Sequence, residues 1–283
     1  MRTVAAPGQR IWGLVGLAVA ALLAVPGSWL IAFAGVHNDA APQDTITRTF
    51  TVSQPVTTVD VHAGGGPVQV TAGPVHSVRV TEAIIYAPWN GGPPAATQSV
   101  SGGILTLGVP QCDCAVSFTV TIPLGVAVAA DTQGGPLTVS GASGADLDSG
   151  GGTVRATGIS GHLIVSADGG AVQLNGLTGP LDADTGGGPL SASGIDAATA
   201  TILTGGGQAQ IGFTVPPDGL FVSTDGGPAT LSLPGGPYAL NASTYGGPEA
   251  IGIATDPAVG RSITVTTGGG SLQIEPPKPQ AAK

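Results

Sequence analysis

Apolar and polar residues alternate in short runs that repeat through the second half of the chain. Each run follows a corner of two or three glycines, as in the segment 169–174 (GGAVQL). The positions two and four residues after the last glycine, and five and seven residues before it, are apolar with few exceptions. Successive corners lie 17 to 23 residues apart. The last glycines of the corners are Gly135, Gly152, Gly170, Gly188, Gly207, Gly227, Gly247 and Gly270.

Offsets of two are the periodicity of a β-strand, so each repeat predicts two short strands around its glycine corner. Strand pairs this short bury no core alone, whereas stacked coils do. The pattern therefore predicts an all-β fold, a parallel β-solenoid whose coils follow one another in chain order. Glycine at each corner is what a tight turn with positive φ requires. Glu249 is an exception, because it stands at an otherwise apolar position two residues after Gly247.

The N-terminus has a different pattern, with 26 uncharged and mostly apolar residues at 11–36. This length exceeds the roughly 20 residues that span a bilayer, and Arg2 and Arg10 predict a cytoplasmic N-terminus. The alternative is a cleaved signal peptide that ends near Ala34, which would release a secreted protein. The predicted organisation is a cytoplasmic segment 1–10, a transmembrane signal-anchor 11–36, a linker 37–45, an irregular part of the solenoid 46–125, regular repeats 126–275 and a disordered tail 276–283.

Composition narrows the classes of function. The net charge of −9 and the 9% of charged residues speak against nucleic acid, which requires a basic surface. The 48 glycines do not recur at every third position, so the chain is not collagen-like. Cys112 and Cys114 are the two cysteines, and outside the cell they are candidates for a disulfide with each other or with another chain.

Aspartates supply the strongest candidate for chemistry. Six of them stand at even offsets before the glycine corners, which predicts that they point outward from one sheet. At one to two coils apart they would lie roughly 5–10 Å from one another. This acidic face is a candidate contact surface, and Trp89 on the loop 86–97 is a second one. The acidic face consists of Asp131, Asp146, Asp148, Asp168, Asp182 and Asp184.

Four segments resemble the opening of the bacterial "putative adhesin" family of surface β-solenoids, a family of unknown function. They are 50–52 (FTV), 59–61 (VDV), 68–70 (VQV) and 120–126 (VTIPLGV), and the resemblance extends over residues 46–275. It implies a right-handed solenoid outside the membrane. It supplies no catalytic residue. Members of the family often carry a Ser-Gly-Asp corner where this chain has Gly-Gly-Pro, so a role of that aspartate does not carry over.

These observations predict a non-enzymatic, membrane-anchored surface module that needs no cofactor. Its expected partners are the membrane, through the N-terminal helix, and a cell-wall polymer, a surface protein or a second copy of itself. One alternative is a polysaccharide-acting enzyme that uses Asp146, Asp148, Asp182 or Asp184 as carboxylate pairs. The other is a solenoid that binds cations through the acidic face.

Overall fold

The computed structural model describes residues 43–88, 96–109 and 114–277. In these ranges the secondary-structure elements are 23 strands, which form one sheet of 12 strands and one of 11. The all-β prediction is therefore confirmed, with long stacks of parallel strands in two sheets. None of the described residues belongs to a helix long and apolar enough to cross a membrane. The predicted anchor at 11–36 lies outside the described ranges.

Strands β1 to β7 form an end of mixed strand direction. β1 pairs with β4, β4 with β7, and β5 with β6, all antiparallel. The repeats alone predicted a solenoid that is parallel throughout. The structure differs at this end, because β4 and β5 run in the opposite direction to the strands with which they pair. These strands are β1 (Asp44–Val52), β2 (Thr58–His62), β3 (Val68–Gly73), β4 (Val78–Tyr86), β5 (Thr97–Ser101), β6 (Ile104–Gly108) and β7 (Cys114–Pro123).

From β8 onward every pairing is parallel, and consecutive strands alternate between the two sheets. We call an even-numbered strand and the odd-numbered strand after it a coil. From β8 onward the even strands belong to the 11-stranded sheet and the odd strands to the 12-stranded sheet. The bounds are β8 (Ala127–Thr132), β9 (Leu137–Ser140), β10 (Ala145–Ser149), β11 (Val154–Ile159), β12 (Leu163–Ala167), β13 (Val172–Thr178), β14 (Leu181–Asp184), β15 (Leu190–Asp196), β16 (Thr199–Leu203), β17 (Ala209–Phe213), β18 (Gly219–Ser223), β19 (Ala229–Ser232), β20 (Ala239–Ser243), β21 (Glu249–Ile251), β22 (Ser262–Thr266) and β23 (Leu272–Glu275).

The apolar offsets of the repeat form continuous rows in the core. Leu174, for example, pairs with Ala156 on one side and with Ala192 on the other. Each of these side chains is at most 3% exposed. Across the core, in the 11-stranded sheet, Val165 lies between Leu147 and Ala183, and all three side chains are buried. Since every coil repeats the same inward positions, the core extends along the whole stack.

The glycine corners have the expected positive φ and a second requirement that comes from the stacking of coils. The positive φ falls on the glycine before the last one, as at Gly151 (φ 111°). The last glycine is required by stacking, because a Cβ on Gly152 would lie 2.2 Å from the carbonyl oxygen of Gly135 in the neighbouring coil. No side chain fits at that distance. The corner thus needs one glycine for its backbone conformation and the next for the spacing between coils.

The coils do not follow chain order at the C-terminal end, which corrects the sequence prediction. β22 lies between β18 and β20, and β23 lies between β19 and β21. The coil β20–β21 is therefore the last layer, although it comes earlier in the chain. Its position explains Glu249, which pairs with Leu272 in regular register and is exposed because no further coil covers it.

The N-terminal end shows the same displacement. The coil of β2 and β3 stacks directly on the first regular coil, because β2 pairs with β8 and β3 pairs with β9. β6 and β7 then stack on its other side. At both ends the chain leaves one layer empty and fills it later, so the ends join segments that are distant in sequence.

A row of buried threonines supports the corners from inside, and we did not predict it. Thr204 Oγ1, for example, donates a hydrogen bond to the carbonyl oxygen of Gly207 at 2.6 Å. The signal in the sequence is a threonine three residues before the last glycine of most corners. Ser149 takes this position in one coil, where its hydroxyl is buried without a hydrogen-bond partner. The threonines are Thr132, Thr185, Thr204, Thr224, Thr244 and Thr267.

Candidate functional site

The acidic face lies on the outward side of the 11-stranded sheet. Its strands direct side chains alternately into the core and outward, so the aspartates at even offsets point away from the core. Asp131 and Asp148 are paired neighbours, roughly 5 Å apart along the row. Asp146 and Asp182 lie two coils apart in the parallel row, with Ile164 between them. The face is therefore a set of rows rather than one converging cluster.

Two histidines contact carboxylates on this side of the sheet. His62 Nε2 lies 3.2 Å from Asp60 Oδ1, and its Nδ1 lies 3.8 Å from Asp131 Oδ2. His162 Nε2 lies 2.8 Å from Asp182 Oδ2. Sequence order separates His62 from Asp131 by almost 70 residues, and the two meet because the chain stacks β2 directly on β8. The sequence analysis did not connect these residues.

Asp148 is the carboxylate whose titration the face perturbs. Its pKa is raised, chiefly because partial burial disfavours the charged form and also because Asp131, Asp168 and Asp146 are negatively charged neighbours. Like charges on adjacent strands repel each other, so Asp148 is the position where the face is least tolerant of another anion. The raised pKa of Asp148 follows from its partial burial and its charged neighbours, and it does not by itself indicate catalysis.

The geometry favours neither of the two chemical alternatives. Among the described residues no group of three or more His, Cys, Asp or Glu side chains converges enough to hold a metal ion. Asp146 and Asp182 lie roughly 10 Å apart, and the half-exposed Ile164 occupies the space between them. A paired-carboxylate mechanism needs a cleft that places both groups around one bond, and the rows lie on an open sheet surface.

Of Trp89 and the two cysteines, only Cys114 lies within the described residues. Trp89 lies outside the described residues. Cys114, at the start of β7, is disulfide-bonded. The sequence contains one other cysteine, Cys112, which also lies outside the described residues. Their pairing with each other stays a prediction.

A cavity of about 530 Å³ opens at the N-terminal end, where the edge strands β1 and β5 face each other. Phe50, Val52, Val100 and Leu105 supply apolar walls, and glutamine and serine side chains line the remainder. The cavity marks the place where the two sheets separate at the end of the stack. It contains no titratable side chain among its lining residues, so it offers a binding volume without acid–base chemistry.

The outward side of the 12-stranded sheet has a different chemistry. From β3 to β19 its strands present two rows of glutamine, asparagine, serine and threonine side chains. Arg155 is the charged member of these rows. We call this surface the amide–hydroxyl face. It consists of Gln69, Thr138, Arg155, Gln173, Ser191, Gln210 and Thr230 in one row and Thr71, Ser140, Thr157, Asn175 and Ser193 in the other.

Two shallow cavities meet on this face. One, of about 290 Å³, is lined by residues that include Arg155, Asn175 and Ser193. The other, of about 170 Å³, is lined by residues that include Pro189 and Gln210. Both are also lined by Gln173 and Ser191, so they form one open groove across several coils.

Solved structures with similar folds include two described as "putative adhesin". The one from Bacteroides fragilis is 13% identical, with a TM-score of 0.40 over 83% of this chain and 98% of the other. The one from Parabacteroides merdae is 12% identical, with a TM-score of 0.48 over 83% and 96%. A "putative lipid binding protein" from Parabacteroides distasonis is 9% identical, with a TM-score of 0.38 over 81% and 96%.

No family model and no curated protein matches the chain. The resemblance to the adhesin family that the sequence suggested is matched by these solved structures. The two-sheet arrangement of this chain is established by its own strand pairing.

Proposed function

We propose that the protein is a non-enzymatic binding module of the cell surface, held at the membrane by residues 11–36. In this proposal the stack is a right-handed β-solenoid that stands outside the membrane. The observation that carries the proposal is the stack itself. Without β1, β4 and β5, the two sheets build ten layers in the described part of the chain, and each layer repeats the same outward positions. A long surface of repeated side chains suits contact with an extended partner.

The distribution of chemistry supports binding rather than catalysis. The perturbed carboxylate Asp148 lies in a row on an open sheet, where no cleft excludes water from a reacting bond. Both large faces present open rows of side chains that continue from coil to coil. Such faces make many weak contacts at once, and repeated contacts raise the overall affinity without any single deep pocket.

The test uses the full-length chain in detergent micelles, incubated with isolated bacterial cell-wall material and sedimented. We expect the protein in the pellet and no released sugar in the supernatant. Released fragments would overturn the non-enzymatic assignment, and protein that stays in the supernatant would overturn the binding assignment. The variant Asp148→Asn separates the enzyme from the binding module further. If Asp148 is catalytic, the variant should release no sugar, whereas a binding module with this substitution should still sediment with the cell-wall material.

Topology needs its own experiment. Protease added to intact cells that express the full chain should degrade the region from residue 43 onward, while cells treated without protease retain it. Protection from protease in intact cells, with degradation after lysis, would place the stack on the cytoplasmic side and overturn this part of the proposal.

A further inference from the structure

We propose that the amide–hydroxyl face binds an uncharged polysaccharide along the groove around Gln173 and Ser191. This inference rests on the proposed binding function and deepens it, since it names the face and the chemical class of the ligand. The sequence pattern alone predicts contact at the acidic face and at Trp89 instead.

The chemistry of the face suits neutral sugars. Hydroxyl groups of serine and threonine donate and accept hydrogen bonds, and a side-chain amide offers donors and an acceptor together. The hydroxyl and acetamido groups of an uncharged sugar have the same dual character. An ionic ligand would instead require opposite charges, and Arg155 is the one charged side chain in the two rows from β3 to β19.

Neighbouring residues hold the groove side chains in place. Arg155 Nε donates to Gln173 Oε1 at 3.1 Å, so the amide nitrogen of Gln173 is left to donate to a ligand. Asn175 Nδ2 donates to Ser193 Oγ at 3.0 Å in the next coil. Side chains that are already ordered lose less conformational entropy when a ligand binds. The face is therefore partly arranged for binding before any ligand arrives.

The spacing of the face indicates a polymer. The row from Gln69 to Thr230 crosses seven neighbouring strands, which corresponds to roughly 30 Å. The groove occupies the part of this row from Arg155 to Gln210, and it is open rather than closed around a small molecule. A chain of sugars can therefore occupy several coils at once, and each added contact acts at high effective concentration.

Charge separates the two outward faces. The acidic face gives one side of the molecule a concentrated negative charge, in a chain whose net charge is −9. An anionic polymer is repelled from that side. On the other side it finds the single guanidinium of Arg155 in the two rows and a further carboxylate, Asp196, at the exposed end of β15. An uncharged polymer is not repelled by the carboxylates, and it carries no ionic groups that would have to lose their water on binding. The comparison favours the uncharged ligand over an acidic one.

The experiment measures sedimentation of the full-length chain, in detergent micelles, with three insoluble polymers. Chitin and cellulose are the neutral probes, and calcium-crosslinked polygalacturonate is the anionic probe. The test variant is Gln173→Glu with Gln210→Glu, which keeps the side-chain shape and adds two negative charges to the groove. The matched control is Thr201→Glu with Thr264→Glu, which adds the same charge to outward positions of the other sheet.

We expect the unaltered chain to sediment with at least one neutral polymer and not with polygalacturonate. The groove variant should lose at least ten-fold in apparent affinity, while the control changes less than two-fold. Equal loss in both variants, no effect of the groove variant, or sedimentation with neither neutral polymer would each overturn the inference. If the chain still sediments with isolated cell-wall material in those cases, the proposed binding function stands and only the face and ligand are wrong.

Discussion

Gly247 stacks on Gly270, a residue that follows it in the chain by more than 20 positions. A Cβ on Gly247 would lie 2.2 Å from the carbonyl oxygen of Gly270. Gly270 in turn stacks on Gly227, where the corresponding distance is 2.1 Å. The contacts between these glycines therefore follow the spatial order of the coils at the C-terminal end, in which β22–β23 lies between β18–β19 and β20–β21 and the coil β20–β21 is the last layer.

Gly247→Ala should detach that last layer without unfolding the remainder. The methyl group meets backbone atoms that have no flexible end to move, so we expect a cost of about 3 kcal/mol in the terminal coil. Hydrogen exchange should show lost protection in β20 and β21 and retained protection in β16 and β18. Gly260→Ala is the control, because nothing lies within 4 Å of its Cβ position. Lost protection throughout the stack would contradict the assignment of β20–β21 as a separable end.

The buried threonine row predicts opposite effects for two similar substitutions. Thr204→Val removes the hydrogen bond to the carbonyl oxygen of Gly207 and leaves the shape unchanged, so it should cost about 1–2 kcal/mol in unfolding free energy. Ser149→Ala removes a buried hydroxyl without a partner and should be neutral or stabilising by about 1 kcal/mol. Chemical denaturation of both variants measures the difference. Equal destabilisation by the two would show that the threonine hydroxyls contribute nothing specific.

Crowding of carboxylates predicts a pH-dependent gain from Asp148→Asn. The folded-state pKa of Asp148 is raised above the ordinary value of 3.8, so the folded protein is penalised when this group is charged. Asparagine removes the penalty, and the gain should be fully present at pH 7. It should shrink as pH falls through the raised pKa and disappear below 3.8. Since the side chain is largely exposed, the gain stays below about 1 kcal/mol.

Melting temperatures of the unaltered chain and of Asp148→Asn from pH 3 to pH 8 check this prediction. Asp218→Asn serves as the control, because Asp218 lies outside the acidic face, just before β18. A gain that grows on acidification would contradict the direction of the pKa shift.

The N-terminal end contains an ion pair that predicts a compensating double substitution. Glu82 points into the core between β1 and β7 and is 4% exposed, and its Oε1 lies 3.6 Å from Arg48 Nη1. Arg48→Ala leaves a buried carboxylate without this partner and should cost about 2 kcal/mol, less than a fully buried pair because Arg48 is half exposed. Adding Glu82→Gln should recover about half of the loss. A double-mutant cycle by denaturation measures the coupling. Additive losses would show that the pair does not interact.

Much of the fold follows from the repeat. The offsets of two around each glycine corner identified the inward residues of the regular coils, for example Leu174 and Val165, which are at most 3% exposed. They also identified the outward positions of Asp146 and Asp148 on the opposite side of the same strands. These features depend on side-chain alternation within one strand, which is a local property of the chain.

The candidate site was less predictable. The contact between His62 and Asp131 exists because β2 stacks on β8, and no local pattern encodes which coil fills which layer. The groove on the amide–hydroxyl face was missed for a related reason. Gln173 and Ser191 are unremarkable polar residues in sequence, and they form a surface only when the register places them side by side.

The sequence by itself determined the strands, the inward apolar rows and the spacing of the coils, because alternation and glycine corners act over a few residues. Only the tertiary structure decided the order of the coils at both ends, the exposure of Glu249 and the division into an acidic face and an amide–hydroxyl face. Those features depend on which distant segments pair along their backbones. Backbone hydrogen bonds between strands depend little on side-chain identity. The order of the coils at each end is therefore set by which segment covers the open edge of the stack best.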